Sequence, residues 1–213
     1  MTYKFFLTSF CILTTGSAFA QTLDLIPEVR QTEPVIAPAS NEAELALQII
    51  QAPDDLDVKL WAAEPMLVNP VAIDVDEKGR VFVSETNRYL TSTLDIRSYM
   101  DMLELDLASR TIEDRMALID SVFEEEAADF EIETEIVRIL EDTNGDGKAD
   151  YTVVFADGFN ESLSGIASGV LARNGKVWFA ETPGLWLLEE GDTPGKAAKR
   201  TELARGSKRG IQE

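Results

Sequence analysis

The feature that most constrains the fold is a strand–turn–strand segment that occurs twice. Val71-Ala72-Ile73-Asp74-Val75 runs into the polar turn Asp76-Glu77-Lys78-Gly79, then Arg80-Val81-Phe82-Val83-Ser84-Glu85-Thr86. Later, Gly165-Ile166-Ala167-Ser168-Gly169-Val170-Leu171 runs into Ala172-Arg173-Asn174-Gly175, then Lys176-Val177-Trp178-Phe179-Ala180-Glu181-Thr182. The copies match at Gly79/Gly175, Val81/Val177, Glu85/Glu181 and Thr86/Thr182. Apolar β-formers around a glycine-closed polar turn spell a hairpin, and hairpins repeated along a chain spell blades of a β-propeller. The alternative is two unrelated hairpins with common turn chemistry. The expected fold is mainly β: the opening blades of a propeller over residues 55–205.

Other segments fill in that outline. Leu56, Val58 and Leu60 alternate with Asp57 and Lys59, which predicts a strand. Glu135–Leu140 and Tyr151–Phe155 read as strands joined by an acidic loop, and Leu185–Leu188 reads as another. Between the copies, from about 94 to 130, the period changes. Ile96, Tyr99, Met100, Leu103 and Leu107 follow helical spacing, as do Ile112, Met116, Ile119 and Phe123, with Thr111 placed to cap. This predicts a helical hairpin, broken near Ser109 and inserted into the first blade. It is acidic, with 14 Asp or Glu against 3 Arg over residues 95–135. Glu124-Glu125-Glu126 reads as its solvated end. A blade takes about 40–50 residues and closed propellers have about 4–8 blades, so the length leaves room for two or three. Residues 196–213 carry six Lys or Arg against two Glu and lose apolar periodicity. The expectation is that the chain stops partway through a propeller, with an irregular tail over 206–213.

The N-terminus sets the compartment. Lys4, the apolar run Phe5–Leu13 and Ala18-Phe19-Ala20 compose a secretory signal over 1–20, cleaved near Ala20. The apolar run is too short to span a bilayer, which takes about 20 residues. No later segment is apolar enough to do so, so the mature chain is expected without a membrane span, in the periplasm or secreted. Residues 21–54 follow as a proline-containing linker (Pro27, Pro34, Pro38) and a short helix at 41–50 capped by Asn41.

What the chain lacks narrows its chemistry. Its one cysteine, Cys11, lies in the signal, and it has no histidine. Disulfides, thiol nucleophiles, Cys-x-x-Cys-His haem attachment, Ser-His-Asp catalysis and His–zinc sites are excluded for the mature chain. The net charge of −20 repels phosphate backbones, so no nucleic-acid partner is expected. Glu85, Asn87, Arg88 and Glu181 sit at strand ends and read as polar groups facing solvent. Trp61, Trp178 and Trp186 read as packing aromatics.

One loop carries a chemical pattern. In Asp142-Thr143-Asn144-Gly145-Asp146-Gly147-Lys148-Ala149-Asp150, oxygen side chains stand at loop positions 1, 3, 5 and 9. Gly147 permits a sharp turn at position 6, and Lys148 can offer its carbonyl at position 7. A hard cation such as Ca2+ takes six to eight oxygens, and this spacing wraps them around one. Position 12 is Val153, where an EF-hand has glutamate, so a strand-loop-strand site with Asp142, Asn144, Asp146, Lys148 and Asp150 is the expected form. Glu141 could add an oxygen. A metal-free Asn-Gly/Asp-Gly hairpin is the alternative.

Together these segments resemble a known family. Leu60–Pro65, Asn69–Ala72, Gly79–Asn87, Arg138–Asp150 and Val154–Gly158 resemble the opening of the membrane-bound dehydrogenase family, and Arg110–Arg115 resembles the insert of some members. That family is similar to quinoprotein sugar dehydrogenases: six-bladed propellers, often followed by helical repeats and a c-type haem domain. The resemblance implies a sugar or alcohol substrate and a quinone cofactor such as PQQ. Such oxidation needs a base within hydrogen-bond reach of the alcohol proton, usually His, and the chain has none. No catalytic residue is carried over. The expected function is therefore an exported N-terminal fragment of a quinoprotein-like dehydrogenase, inactive alone. The alternative is a calcium-dependent extracytoplasmic binding or structural module.

Overall fold

The computed structural model describes residues 36–206. The signal segment, residues 21–35 of the linker and residues 207–213 of the tail lie outside the described residues. Eight strands form two four-stranded antiparallel sheets, each a simple meander. Sheet 1 contains β1 (Pro70–Val75), β2 (Val81–Glu85), β3 (Glu135–Glu141) and β4 (Tyr151–Phe159). Sheet 2 contains β5 (Ala167–Arg173), β6 (Lys176–Glu181), β7 (Gly184–Glu190) and β8 (Ala197–Arg205).

The sequence repeat is a structural repeat. Pro70 pairs with Glu85 and Ala72 with Ser84; Ala167 pairs with Glu181 and Gly169 with Ala180. Each first strand thus carries one extra residue, Val71 or Ser168, at the same place, a bulge that bends the strand. The turns differ in make. Gly79 takes φ +82°, while Asn174 and Gly175 both take positive φ, the conformation that suits a two-residue hairpin.

The sheets pack face to face through Phe82, Val137, Ile139 and Phe155 on one side and Val177, Phe179 and Leu188 on the other. Phe82 meets Phe155 edge-on at 5.3 Å, and Phe159 meets Phe179 at 4.8 Å across the sheets. Polar bonds fix the angle of contact. Asp74 accepts the Ala172 N–H at 2.8 Å. Arg80 lies between Asp76 of its own turn (2.8 Å) and Glu190 of β7 (2.9 Å).

That last trio makes the inter-sheet contact acid-sensitive. Burial works to raise the Asp76 carboxyl, but the Arg80 guanidinium with the Arg80 and Lys78 N–H groups outweighs it and holds the carboxyl below its ordinary value. Glu190 is held low chiefly by its hydrogen bond to Arg80. Folded pKa values below the unfolded ones give stability that is present above the unfolded values and lost as pH falls through the folded ones. The thermal midpoint is expected to fall below about pH 4, and to fall less in Arg80→Met. A midpoint with the same acid limb in both proteins contradicts this role.

Between β2 and β3 the chain leaves the sheet for α2 (Leu103–Ala108), α3 (Ile112–Phe123) and a 3-10 segment (Glu124–Glu131). The expected break at Ser109 is present, and Thr111 caps α3: its hydroxyl accepts the Asp114 N–H while Asp114 accepts the Thr111 N–H, both at 3.0 Å. Glu124, Glu125 and Glu126 are exposed, as a solvated helix end should be. The insert buries its own core of Met102, Leu118, Ile119, Phe123 and Phe130.

Three expectations need correction. Residues 56–60 form no strand. Leu56 and Val58 stay exposed, and no neighbouring strand takes up their backbone groups. At the other end, 197–205 is strand β8, although its sequence shows no apolar alternation, because pairing with β7 supplies what side chains do not. The short helix α1 (Glu42–Leu47) forms, but Asn41 contributes its carbonyl to Leu45 N–H rather than a side-chain cap.

Candidate functional site

The acidic loop joins β3 to β4 at the solvent-exposed end of sheet 1. Gly145 and Gly147 both take positive φ, so the chain curls tightly around Asp142. The oxygens that spacing assigned to a cation are engaged by the loop itself. Asp142 accepts N–H groups from Gly145 (2.7 Å), Asp146 (3.2 Å) and Gly147 (2.8 Å). Asn144 accepts from Asp146 at 2.8 Å, and Asp146 accepts from Lys148 at 2.9 Å. Asp150 closes the loop by accepting from Thr143 N–H and hydroxyl and from the Asn144 amide. Its carboxyl is held below the ordinary range, first by the Thr143 N–H. Asp142, Asn144, Asp146, Lys148 and Asp150 therefore share one turn, and its hydrogen bonds are enough to shape it. Among the described residues, no group of three or more acidic side chains is placed to hold a metal ion.

The second polar constellation overturns a sequence expectation. Glu85, Asn87, Arg88 and Glu181 read as surface groups, yet all four are buried, Arg88 and Glu85 completely. Arg88 follows β2, where the insert begins. Its guanidinium donates to the carbonyls of Ser92, Phe130, Glu133, Glu161 and Ser164, at 2.7 to 3.2 Å. These carbonyls come from the start of the insert, its end, and the connection between the sheets. Burial lowers the Arg88 pKa, countered by Glu135, Glu181, Glu133 and Glu131 nearby. A guanidinium nevertheless stays charged in proteins.

Glu135, at the start of β3, accepts from the Thr86 hydroxyl and from the Asn87, Arg88 and Ala167 N–H groups. The Ala167 bond, 2.7 Å, reaches across to β5 of sheet 2. Burial nonetheless pushes the Glu135 carboxyl up, and it does the same to Glu181, which accepts from Trp186 Nε1. Glu85 takes a two-pronged bond from Arg138 on β3, at 2.6 and 2.9 Å, plus the Val68 N–H. Position at a strand end next to an insert was the visible signal. The carbonyl partners of Arg88 come from residues up to 76 positions away, which no local pattern displays.

The cations of this cluster, Arg88 and Arg138, fit poorly with a quinone cofactor such as PQQ, which is a tricarboxylate. Arg88 is filled by carbonyls and Arg138 by Glu85, and the remaining buried ionisable groups of the cluster, Glu133, Glu135 and Glu181, are acids.

Among the described residues, fold and site together define an all-antiparallel pair of sheets, fastened at one end by a buried guanidinium–carboxylate cluster. The chain belongs to the family described as a domain of unknown function (DUF7133), whose model matches residues 42–213. No curated protein and no solved structure matches it.

Proposed function

We propose that the chain is the opening, non-catalytic part of an exported quinoprotein-like dehydrogenase propeller, holding adjacent blades in register for reacting groups carried elsewhere. The observation that supports it is the stacking of two meanders of one repeat, with bulges at matching places and first strands lying side by side. Radial blades stack in that way. The buried ionic groups favour a scaffold over an enzyme, because Arg88, Glu135 and the Glu85–Arg138 pair are each engaged by fixed partners. The sugar or alcohol substrate belongs to the family resemblance, and this chain contributes no histidine base to its oxidation.

The purified chain, supplied with PQQ, calcium, aldoses or alcohols and a dye acceptor, is expected to reduce no dye beyond the protein-free blank. Dye reduction that follows the protein through purification contradicts the scaffold reading. A second reading, a calcium-dependent module, is favoured by one observation: three carboxylates, Asp142, Asp146 and Asp150, share a single exposed turn. Its mark is a calcium-induced rise in thermal midpoint that Asp142→Asn removes.

A further inference from the structure

The two sheets treat one glutamate differently. Glu85 of β2 and Glu181 of β6 hold equivalent places in the repeat. So do the residues beside them: Arg138 pairs with Val83, and Trp186 with Phe179. In sheet 1 the acid is neutralised, because Arg138 reaches Glu85 with two N–H groups. In sheet 2 an indole stands where the guanidinium would be. Trp186 Nε1 donates to Glu181 Oε2 at 3.3 Å, and Glu181 Oε1 accepts no hydrogen bond among the described residues. The indole's place is built in, since a Cβ at Gly184 would come within 2.6 Å of its Nε1.

Glu181 is only 2% exposed, so bulk solvent does not make good the missing partner. The elements packed against it add few cations. Strand β3 turns Glu135, Val137 and Ile139 toward sheet 2, while β6 turns Val177, Phe179 and Glu181 toward sheet 1. Glu135 and Glu181 therefore face the same seam. Arg88, which follows β2, brings positive charge, but its donors are committed to backbone carbonyls, and Glu133 and Glu131 of the insert also lie near it. The Ser164 hydroxyl, from the connection between the sheets, lies near Glu181 without the geometry of a hydrogen bond. Four buried glutamates (85, 133, 135 and 181) thus share two guanidiniums, Arg88 and Arg138. Glu135 has four hydrogen-bond donors and Glu181 has the indole. Burial pushes the Glu181 carboxyl up, Glu135 adds to this, and Ser164, Trp186 and Arg88 offset only part of it.

We propose that Glu181 is held as a neutral acid in the folded chain and acts as a pH-sensitive switch on the Arg88 fastening. The link is Ser164: its carbonyl accepts from Arg88 at 2.9 Å, and its hydroxyl lies beside Glu181. A neutral Glu181 leaves the guanidinium to the carbonyls of Ser92, Phe130, Glu133 and Ser164. An ionised one competes for it and draws it off them. The folded state favours the protonated form, so this stability is full below the ordinary glutamate value and is lost as pH rises through the higher folded value.

Infrared spectroscopy against pH reads the proton directly. The parent is expected to show the carbonyl band of a protonated carboxylic acid at neutral pH, and Glu181→Gln, which keeps the shape, to lack it. Amide exchange over residues 88–93 and 130–134, corrected for the intrinsic effect of pH, is expected to quicken in the parent by up to about tenfold per pH unit above the ordinary glutamate value. It should stay level in Glu181→Gln. A parent without the band at neutral pH, or a band that survives undiminished in Glu181→Gln, overturns the neutral Glu181. Loss of the band in the variant with exchange that rises equally in both proteins overturns the switch. If Glu181→Gln does not fold, the parent alone still decides: its band must fade over the pH range in which exchange quickens, and fading elsewhere overturns the coupling.

Discussion

Arg88→Met is expected to lower the thermal midpoint by roughly 6–20 °C, from a loss of about 3–5 kcal/mol. Methionine fills much of the same volume but donates nothing. Four buried carbonyls, from Ser92, Phe130, Glu133 and Ser164, then lose their guanidinium donor, while the Glu161 carbonyl keeps the Ser164 N–H. The acids around the guanidinium lose their counter-charge at the same time. Arg88→Lys should recover only part of the loss, because an ammonium brings three donors from a point where the guanidinium spreads five across a plane. If Arg88→Met folds poorly, the lysine variant still reports. A midpoint for either variant within a degree or two of the parent would show that water replaces the guanidinium and that the cluster is not the fastening described above.

Phe179→Ala is expected to remove about 3–5 kcal/mol by opening a cavity between the sheets. Phe179 is fully buried, packs on Phe159 at 4.8 Å, and shares its cluster with Phe82, Val177 and Leu188. The informative control is its neighbour in sequence. Trp178 is the larger residue but lies on the opposite face and is half-buried, so Trp178→Ala in the monomer should cost markedly less. Chemical denaturation of both variants gives the comparison directly. Equal losses would mean that both faces of sheet 2 are packed within one chain, against the one-sided core observed.

Much of the fold was legible because it obeys local rules. Alternation around Gly79 and Gly175 located four strands, and the switch to helical spacing located the insert, its break at Ser109 and the Thr111 cap. Where reading failed, the deciding partner was remote. Strand β8 is exposed on most of its length and lacks alternation, but β7 pairs with it from Gly184 to Glu190. Residues 56–60 alternate well and have no strand to pair with. The candidate site shows the same division. The loop Asp142–Asp150 was found by spacing alone, and its residues do meet in one turn. The burial of Arg88 and Glu181 was missed, since a charged residue at a strand end is exposed in most proteins and only distant carbonyls make it otherwise.

The clasp at Arg88 also separates two motions. The insert leaves the sheet near Ser92 and returns near Glu133, and one guanidinium holds both points. Its apolar residues form a core distinct from the one between the sheets. The helices can therefore open as a cooperative unit of their own, hinged at the Arg88 doorway once the Asn160, Ser162 and Leu163 contacts release, while β2 and β3 keep their pairing. Sequence change within the excursion is insulated from the sheets as long as the doorway holds, so this stretch is free to diverge in length and charge while the strands on either side are not.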